Sequence, residues 1–251
     1  TNGWAFGPEK SERVLPHMSW IRFTVAAGTP EGYAKIMYKG PEHTEVFDNA
    51  MENISHAIAY KKKHNLSVTI GIQMVLMPEF ADEIIPFAQL GLDLGADYAV
   101  IKHCSDDETQ SLGVDYSKYE SMYDLLETAE AMSTSETKIV VKWDKINDKG
   151  QHSYSRFYGP AFLLQISGSG LVAPSGMFFN ARHSKLHIGD FTTERFIDMF
   201  NSDRYWRAMN YLASPAFDAK TQLGLLSIQH YVSTALDNHV KGIKKIVPPT
   251  S

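Results

Sequence analysis

Cysteine is nearly absent. Cys104 is the only one in 251 residues. That excludes an internal disulfide, a CxxC redox pair and a cysteine-rich metal cage. A surplus of positive charge is absent too. Lys and Arg number 24 against 29 Asp and Glu, for a formal net charge of −5. No basic face is therefore expected that would neutralise the phosphates of a nucleic acid. No apolar run approaches the ~20 residues that a membrane-spanning helix needs. Residues 1–10 are polar and do not read as a signal peptide. A cytoplasmic protein with neither nucleic-acid nor membrane partners is the expectation. Hydrophobic residues at 43% and charged residues at 21% suit a globular chain able to bury a core.

Strands and helices alternate up to about residue 145. Residues 19–26 (SWIRFTVA) predict a strand, and the small residues Ala27-Gly28-Thr29-Pro30 predict the loop after it. Residues 44–65 predict a helix, with Val46, Phe47, Ala50, Ile54, Ala57 and Ile58 at helical spacing. Lys61, Lys62 and Lys63 suit the negative end of its dipole and read as a solvated face. Strands are then predicted at 67–76, 98–103 and 138–144. Helices are predicted at 80–94, closed by Gly95, and at 117–132. Apolar strands separated by amphipathic helices imply a parallel sheet with right-handed crossovers. Ligands of such sheets lie at the carboxyl ends of the strands, here 24–28, 73–79, 102–107 and 143–145.

The texture changes after the turn at 147–150. Short strands are predicted at 162–166 and 177–179, flanking Gly168-Ser169-Gly170, and at 186–188. Helices follow at 193–212 and 222–238, and residues 247–251 read as a frayed tail. Phe178, Phe179, Phe191, Phe196, Phe200, Tyr205 and Trp206 read as the core of this second module. Two domains are expected, 1–146 and 147–251. Four parallel strands cannot close a barrel, so the sheet is either small and open or part of something longer.

Several stretches carry a family resemblance. Thr1-Asn2-Gly3, WIRFTVAAGTPEGYAKI at 20–36, VTIGIQMVLMPEFADEI at 68–84 and GADYAVIKHCSDDE at 95–108 resemble, in that order, the later part of a radical SAM partial barrel. GPAFLLQISGSGLVAPSGMFFN at 159–180, HIGDF at 187–191 and SDRYW at 202–206 are similar to the extension that follows the barrel in SPASM-type members. The likeness runs over about residues 1–238. It implies an α/β chain: the later part of a partial (β/α) barrel with parallel strands, then a small loop-rich α+β SPASM-like module. In that family S-adenosylmethionine binds a [4Fe–4S] cluster and is cleaved to a 5′-deoxyadenosyl radical, which takes a hydrogen atom from substrate.

Two departures accompany the match. The family's CxxxCxxC loop, which holds the cluster, has no counterpart in this chain. The resemblance therefore implies a further segment or subunit carrying the iron. The auxiliary-cluster positions of the extension fall on Phe157, Ser175, Leu223 and Ser227, none of which is cysteine. Iron–sulfur clusters are held by soft thiolates, so cluster binding by this chain alone is not expected.

The resemblance places S-adenosylmethionine against Thr1, Asn2, Gly3, Thr24 and Gln73. For Thr1-Asn2-Gly3 the alternative is a plain polar turn. For Thr24 it is a strand end that needs small residues, and many relatives carry an acidic residue where Ala26 stands. Gln73 is a lone polar group in an apolar strand, and burial would demand partners for its amide. Gly71 reads as a point of close ligand approach. The substrate is expected against Lys102, His103 and Asp106, in the dense run 102–108. Alternation sends Lys102 and Cys104 one way and His103 the other. Lys102 would position an anionic group or act as an acid. Cys104 would be a hydrogen-atom donor or, more simply, a buried inert thiol. Trp143, Asp144 and Lys145 read as a strand exit or a pocket wall. His183 and His187 have the four-residue spacing of a metal pair but no third ligand, so no zinc site is expected.

The function implied is the C-terminal portion of a radical SAM-type enzyme, acting on a small molecule that the sequence does not reveal. The alternative is a cluster-free module that binds a small molecule or a partner. A third reading is a small α/β enzyme using Lys102, His103 and Asp106 in acid–base work. The first strand is expected to leave an unpaired edge.

Overall fold

The computed structural model describes residues 1–38, 40–107, 109–224 and 229–247. Ser227, Glu108 and most of the expected tail lie outside the described residues. The chain divides into two compact units: Thr1–Cys104 with Val114–Lys149, and Ser105–Gly113 with Gly150–Ser251. Among the described residues, no helix is long and apolar enough to cross a membrane.

In the first unit, helix α1 (Pro8–Val14) precedes strand β1 (Trp20–Thr24). Helices α2 (Pro30–Tyr38) and α3 (Thr44–Lys63) lead to strand β2 (Thr69–Leu76). Helix α4 (Ile84–Leu94) leads to β3 (Tyr98–His103), and α5 (Tyr123–Ala131) to β4 (Lys138–Val141). Helix α6 (Trp143–Asn147) follows at once. The strands lie in the order β1-β2-β3-β4, all parallel. That order decides the architecture. Right-handed crossovers that always step the same way put every helix on one face, as in a barrel segment, whereas a doubly wound sheet reverses direction.

Period-two alternation does the rest. Ile21, Phe23, Val25, Ile70, Ile72, Met74, Leu76, Ala99, Ile101, Ile139 and Val141 face the helices. There they pack with Ile54, Ile58, Phe87 and Leu126 into one core. Full burial of a side chain such as Phe87 contributes ~2–3 kcal/mol.

The loop after β1 is held from α4's side. Glu83 is buried, and its carboxylate accepts from the Gly28 amide (2.9 Å), the Thr29 amide (3.0 Å) and the Thr29 hydroxyl (2.7 Å). A Cβ on Gly28 would lie 2.1 Å from the Phe87 nitrogen, so only glycine lets this loop meet the start of α4. At the far ends of β2 and β3, the Tyr119 hydroxyl donates to the Leu76 carbonyl (2.5 Å) and accepts from the Cys104 amide (3.1 Å).

The two sheet edges differ. On β4 the outward amides of Ile139 and Val141 are taken by the Ser133 hydroxyl (3.0 Å) and the Glu130 carboxylate (3.1 Å). On β1 the Thr24 amide pairs with the Thr1 carbonyl (2.8 Å), and among the described residues no strand pairs with its outer edge.

The second unit holds a three-stranded antiparallel sheet of β5 (Gln165–Ile166), β6 (Leu171–Ala173) and β7 (Gly189–Asp190). Helices α7 (Phe196–Phe200), α8 (Asp203–Ala213), α9 (Ala219–Gln222) and α10 (His230–Val240) follow. Its core gathers Tyr154, Phe157, Phe178, Tyr205, Leu212 and Phe217.

Several expectations are corrected. The fourth strand ends at Val141, because the Lys145 and Ile146 amides turn back to the Lys142 carbonyl and open α6. Residues 177 and 178 belong to a 3-10 turn, Gly176–Phe178, which Phe179 follows, and the pairing strand is β6. Residue 186 ends another 3-10 turn, Ala181–Leu186, so the strand falls at β7. The helix expected over 193–212 is two, since the Ser202 hydroxyl caps α8 by accepting from the Tyr205 amide (3.3 Å). The helix expected over 222–238 begins, as α10, only at His230. Of the expected aromatic core, Phe178 and Tyr205 are buried. Phe191, Phe196, Phe200 and Trp206 are exposed and meet one another or Tyr205 at the surface. Lys61 is no solvated bystander. It pairs with Asp97 (2.5 Å), whose carboxylate also accepts from the Ile70 amide (2.5 Å).

Candidate functional site

Of the residues expected to contact a ligand, Thr24, Gln73 and Lys102 share the face of the parallel sheet away from the helices. Register builds it in rows. Arg22, Gly71, Tyr98 and Lys138 form one row. Thr24, Gln73, Val100 and Val140 form the next. Val75 and Lys102 lie beyond it, with Lys142 following β4 through its amide bond to the Ile101 carbonyl (2.9 Å). None of these side chains belongs to the helix-facing core.

Gln73 is 6% exposed, and no hydrogen bond to its side chain exists among the described residues. Its amide is not among the fully enclosed polar atoms that lack a partner, so it reaches solvent and is free to meet an external polar ligand. Thr24 beside it presents an exposed hydroxyl. Thr24 also borders two concavities. One, of about 570 Å³, is lined by Thr1, Met18, Trp20 and Arg22. The other, of about 220 Å³, is apolar and lined by Ile36, Met37, Met74, Phe80 and Cys104.

Thr1-Asn2-Gly3 is tied to this edge. The Asn2 side chain accepts from the Trp4 amide (3.2 Å), and the Gly3 carbonyl accepts from Asn53 (3.1 Å). Gly71 has an internal reason to be glycine, since a Cβ there would lie 2.2 Å from the Tyr98 ring.

Lys102 is half-buried on this face, and no carboxylate pairs with it among the described residues. Burial, then Lys145 and Arg22, push its pKa below that of an ordinary lysine. Burial also lowers Lys145, against the pull of Asp144 and Asp148.

Of the expected substrate residues, Lys102 and His103 lie on opposite faces of β3, and Asp106 belongs to the second unit. His103 points to the helix side, 2% exposed. Its Nδ1 donates to the Cys104 carbonyl (2.6 Å), and its ring meets Tyr116 edge-on. Burial lowers its pKa to about 4. Asp106 belongs to the second unit, where its carboxylate accepts from the amides of Asp107 (2.8 Å) and Leu112 (3.1 Å). In the second unit, His183 accepts from Arg182 (3.1 Å) and His187 donates to the Phe178 carbonyl (2.8 Å). Arg22 and Lys142 were missed in the sequence, though alternation back from Thr24 and on from Val140 points to both. Glu83 had no local signal, because its partners lie 54 and 55 residues away.

No family model and no curated protein matches the sequence. Solved structures do match in fold. One is native anSMEcpe with bound AdoMet (S-adenosylmethionine), with a TM-score of 0.55 and 9% identity, covering 96% of this chain and 70% of that one. Another is native anSMEcpe with bound AdoMet and Kp18Cys peptide, with a TM-score of 0.54 and 10% identity, covering 98% and 75%. The chain shares the fold of AdoMet-bound structures. That agrees with the radical SAM likeness read from its sequence. The parallel four-stranded sheet is the half of the expected architecture that this supports.

The residues present do not fit an iron–sulfur cluster. Cys104 is buried and alone. Among the described residues, no group of three or more His, Cys, Asp or Glu stands ready to hold a metal. Phe157 and Leu223 pack into the second unit's core, and Ser175 is buried. Apolar core residues thus stand at two of the positions, 157 and 223, where the sequence likeness would call for thiolates.

Proposed function

We propose that the first unit binds S-adenosylmethionine on the open face of its sheet. Thr24, Gln73 and the Thr1-Asn2-Gly3 turn contact the nucleoside and amino-acid parts, and Lys102 receives an anionic group of the substrate. The observation that carries this reading is the Gln73 side chain, a polar group largely buried in an apolar strand whose amide still reaches solvent beside Thr24, in a fold shared with AdoMet-bound structures. Arg22, Lys142 and Lys145 add positive charge on the same side, which favours a carboxylate or phosphate on the substrate. Hydrogen abstraction, the chemistry that the sequence likeness implies, calls for iron from another segment or subunit. The acid–base reading lacks support, because His103 is occupied with Cys104 and Asp106 with its own loop.

Gln73→Leu is the direct test. Titration calorimetry with S-adenosylmethionine is expected to show an affinity about tenfold or more below that of the parent chain, the loss of one or two hydrogen bonds. Stability is expected to hold, since leucine is close to glutamine in volume at this largely buried strand position. Absence of binding by the parent chain at millimolar ligand would refute the proposal.

A second reading, a binding module without redox chemistry, is favoured by the apolar core residues Phe157 and Leu223 at two of the expected thiolate positions. Anaerobic reconstitution with iron and sulfide is expected to leave the chain without a [4Fe–4S] spectrum. A cluster near one per chain would overturn the need for iron from elsewhere.

A further inference from the structure

The second unit contains a separate concave site of about 730 Å³. Arg182, His183, Lys185, Arg204, Arg207 and Tyr211 supply most of its wall, and no carboxylate lines it. That volume is in the range of small-ligand pockets. We propose that this cleft binds a phosphate-bearing small molecule.

The wall is built from two elements. Arg204, Arg207 and Tyr211 recur at helical spacing on one face of α8, while Tyr205, Ala208, Met209 and Leu212 bury the other face. Arg182 and Lys185 come from the 3-10 turn Ala181–Leu186. That turn is fixed by Asn180, which accepts from the Arg182 amide (3.1 Å), and by the buried Leu186.

Glu194 neutralises Arg204. Arg207 and Lys185 have no ion pair among the described residues. In a chain of net charge −5, such a gathering of cations around a hollow is not average composition. Like charges facing a common space repel, and a bound anion relieves that repulsion. Guanidinium forks match phosphate oxygens two at a time. The half-exposed ring of Tyr211 offers an apolar wall for an organic body. The cations converge on one hollow rather than along a track, which favours a compact anion over an extended acidic peptide.

The test uses the full chain, with inorganic phosphate, inorganic diphosphate and a hexaglutamate peptide as probes. Calorimetry and thermal shift are expected to show diphosphate binding more tightly than phosphate, and both more tightly than the peptide. Arg207→Glu and, separately, Lys185→Glu are expected to weaken diphosphate by tenfold or more. Both positions are exposed, so the fold is retained, and far-ultraviolet circular dichroism verifies it. Gln73→Leu is expected to leave diphosphate affinity unchanged. No binding of either phosphate probe, no loss in both charge reversals, or equal affinity for the peptide would each overturn the proposal.

Discussion

A Glu83→Ala chain is expected to lose about 3–5 kcal/mol of folding stability. The carboxylate receives two backbone amides and a hydroxyl from Gly28 and Thr29, in a crevice so tight that a Cβ on Gly32 would lie 2.0 Å from its Oε1. Removing it strands those donors, at roughly 1–3 kcal/mol for each buried one, and leaves a cavity besides. Glu83→Gln keeps the volume but turns an NH2 group toward donors, so an intermediate loss is expected. The measurement is the urea midpoint at constant m-value. A loss below about 1 kcal/mol for the alanine variant would show that the loop is held by other means. Because this loop follows Thr24 within a few residues, S-adenosylmethionine affinity is expected to fall in the same variant.

Acid is expected to destabilise the first unit through His103. Burial holds the folded imidazole neutral down to about pH 4, whereas an unfolded histidine titrates near 6.5. As pH falls below 6.5 the unfolded chain takes up a proton that the folded chain refuses. Stability is therefore complete above about pH 6.5, drains between 6.5 and 4, and drains no further below 4 on this residue's account. The full span is worth about 3 kcal/mol at ~1.4 kcal/mol per pH unit. His103→Phe keeps an aromatic ring against Tyr116 and is expected to flatten this part of the profile. It sacrifices the hydrogen bond to the Cys104 carbonyl, about 1 kcal/mol at neutral pH. Denaturation midpoints followed from pH 7 to 4 in both chains decide the matter; parallel profiles would exclude His103 as the cause.

The strands of the first unit were legible because a sheet covered on one face by helices writes its pattern twice, as β-branched runs and as intervening amphipathic segments. Thus β2 and β3 fall within two residues of their expected bounds. The prolines that open α1 and α2 begin helices too short for periodicity to reveal. In the second unit, two- and three-residue strands carry no period at all, and exposed aromatics imitate a core. At the site, alternation correctly divided Lys102 from His103. It carried no information on Asp106, whose carboxylate is engaged by amides of its own loop. Partners far apart in sequence, such as Glu83 with Gly28, are invisible to any local reading.

The unequal sheet borders have a mechanical consequence. Side chains from Glu130 and Ser133 plug the outward amides along β4, while among the described residues the outer edge of β1 meets the backbone of Thr1. A guest strand, from a second polypeptide or a synthetic peptide, that adds to this sheet is thus turned away at β4 and directed to β1.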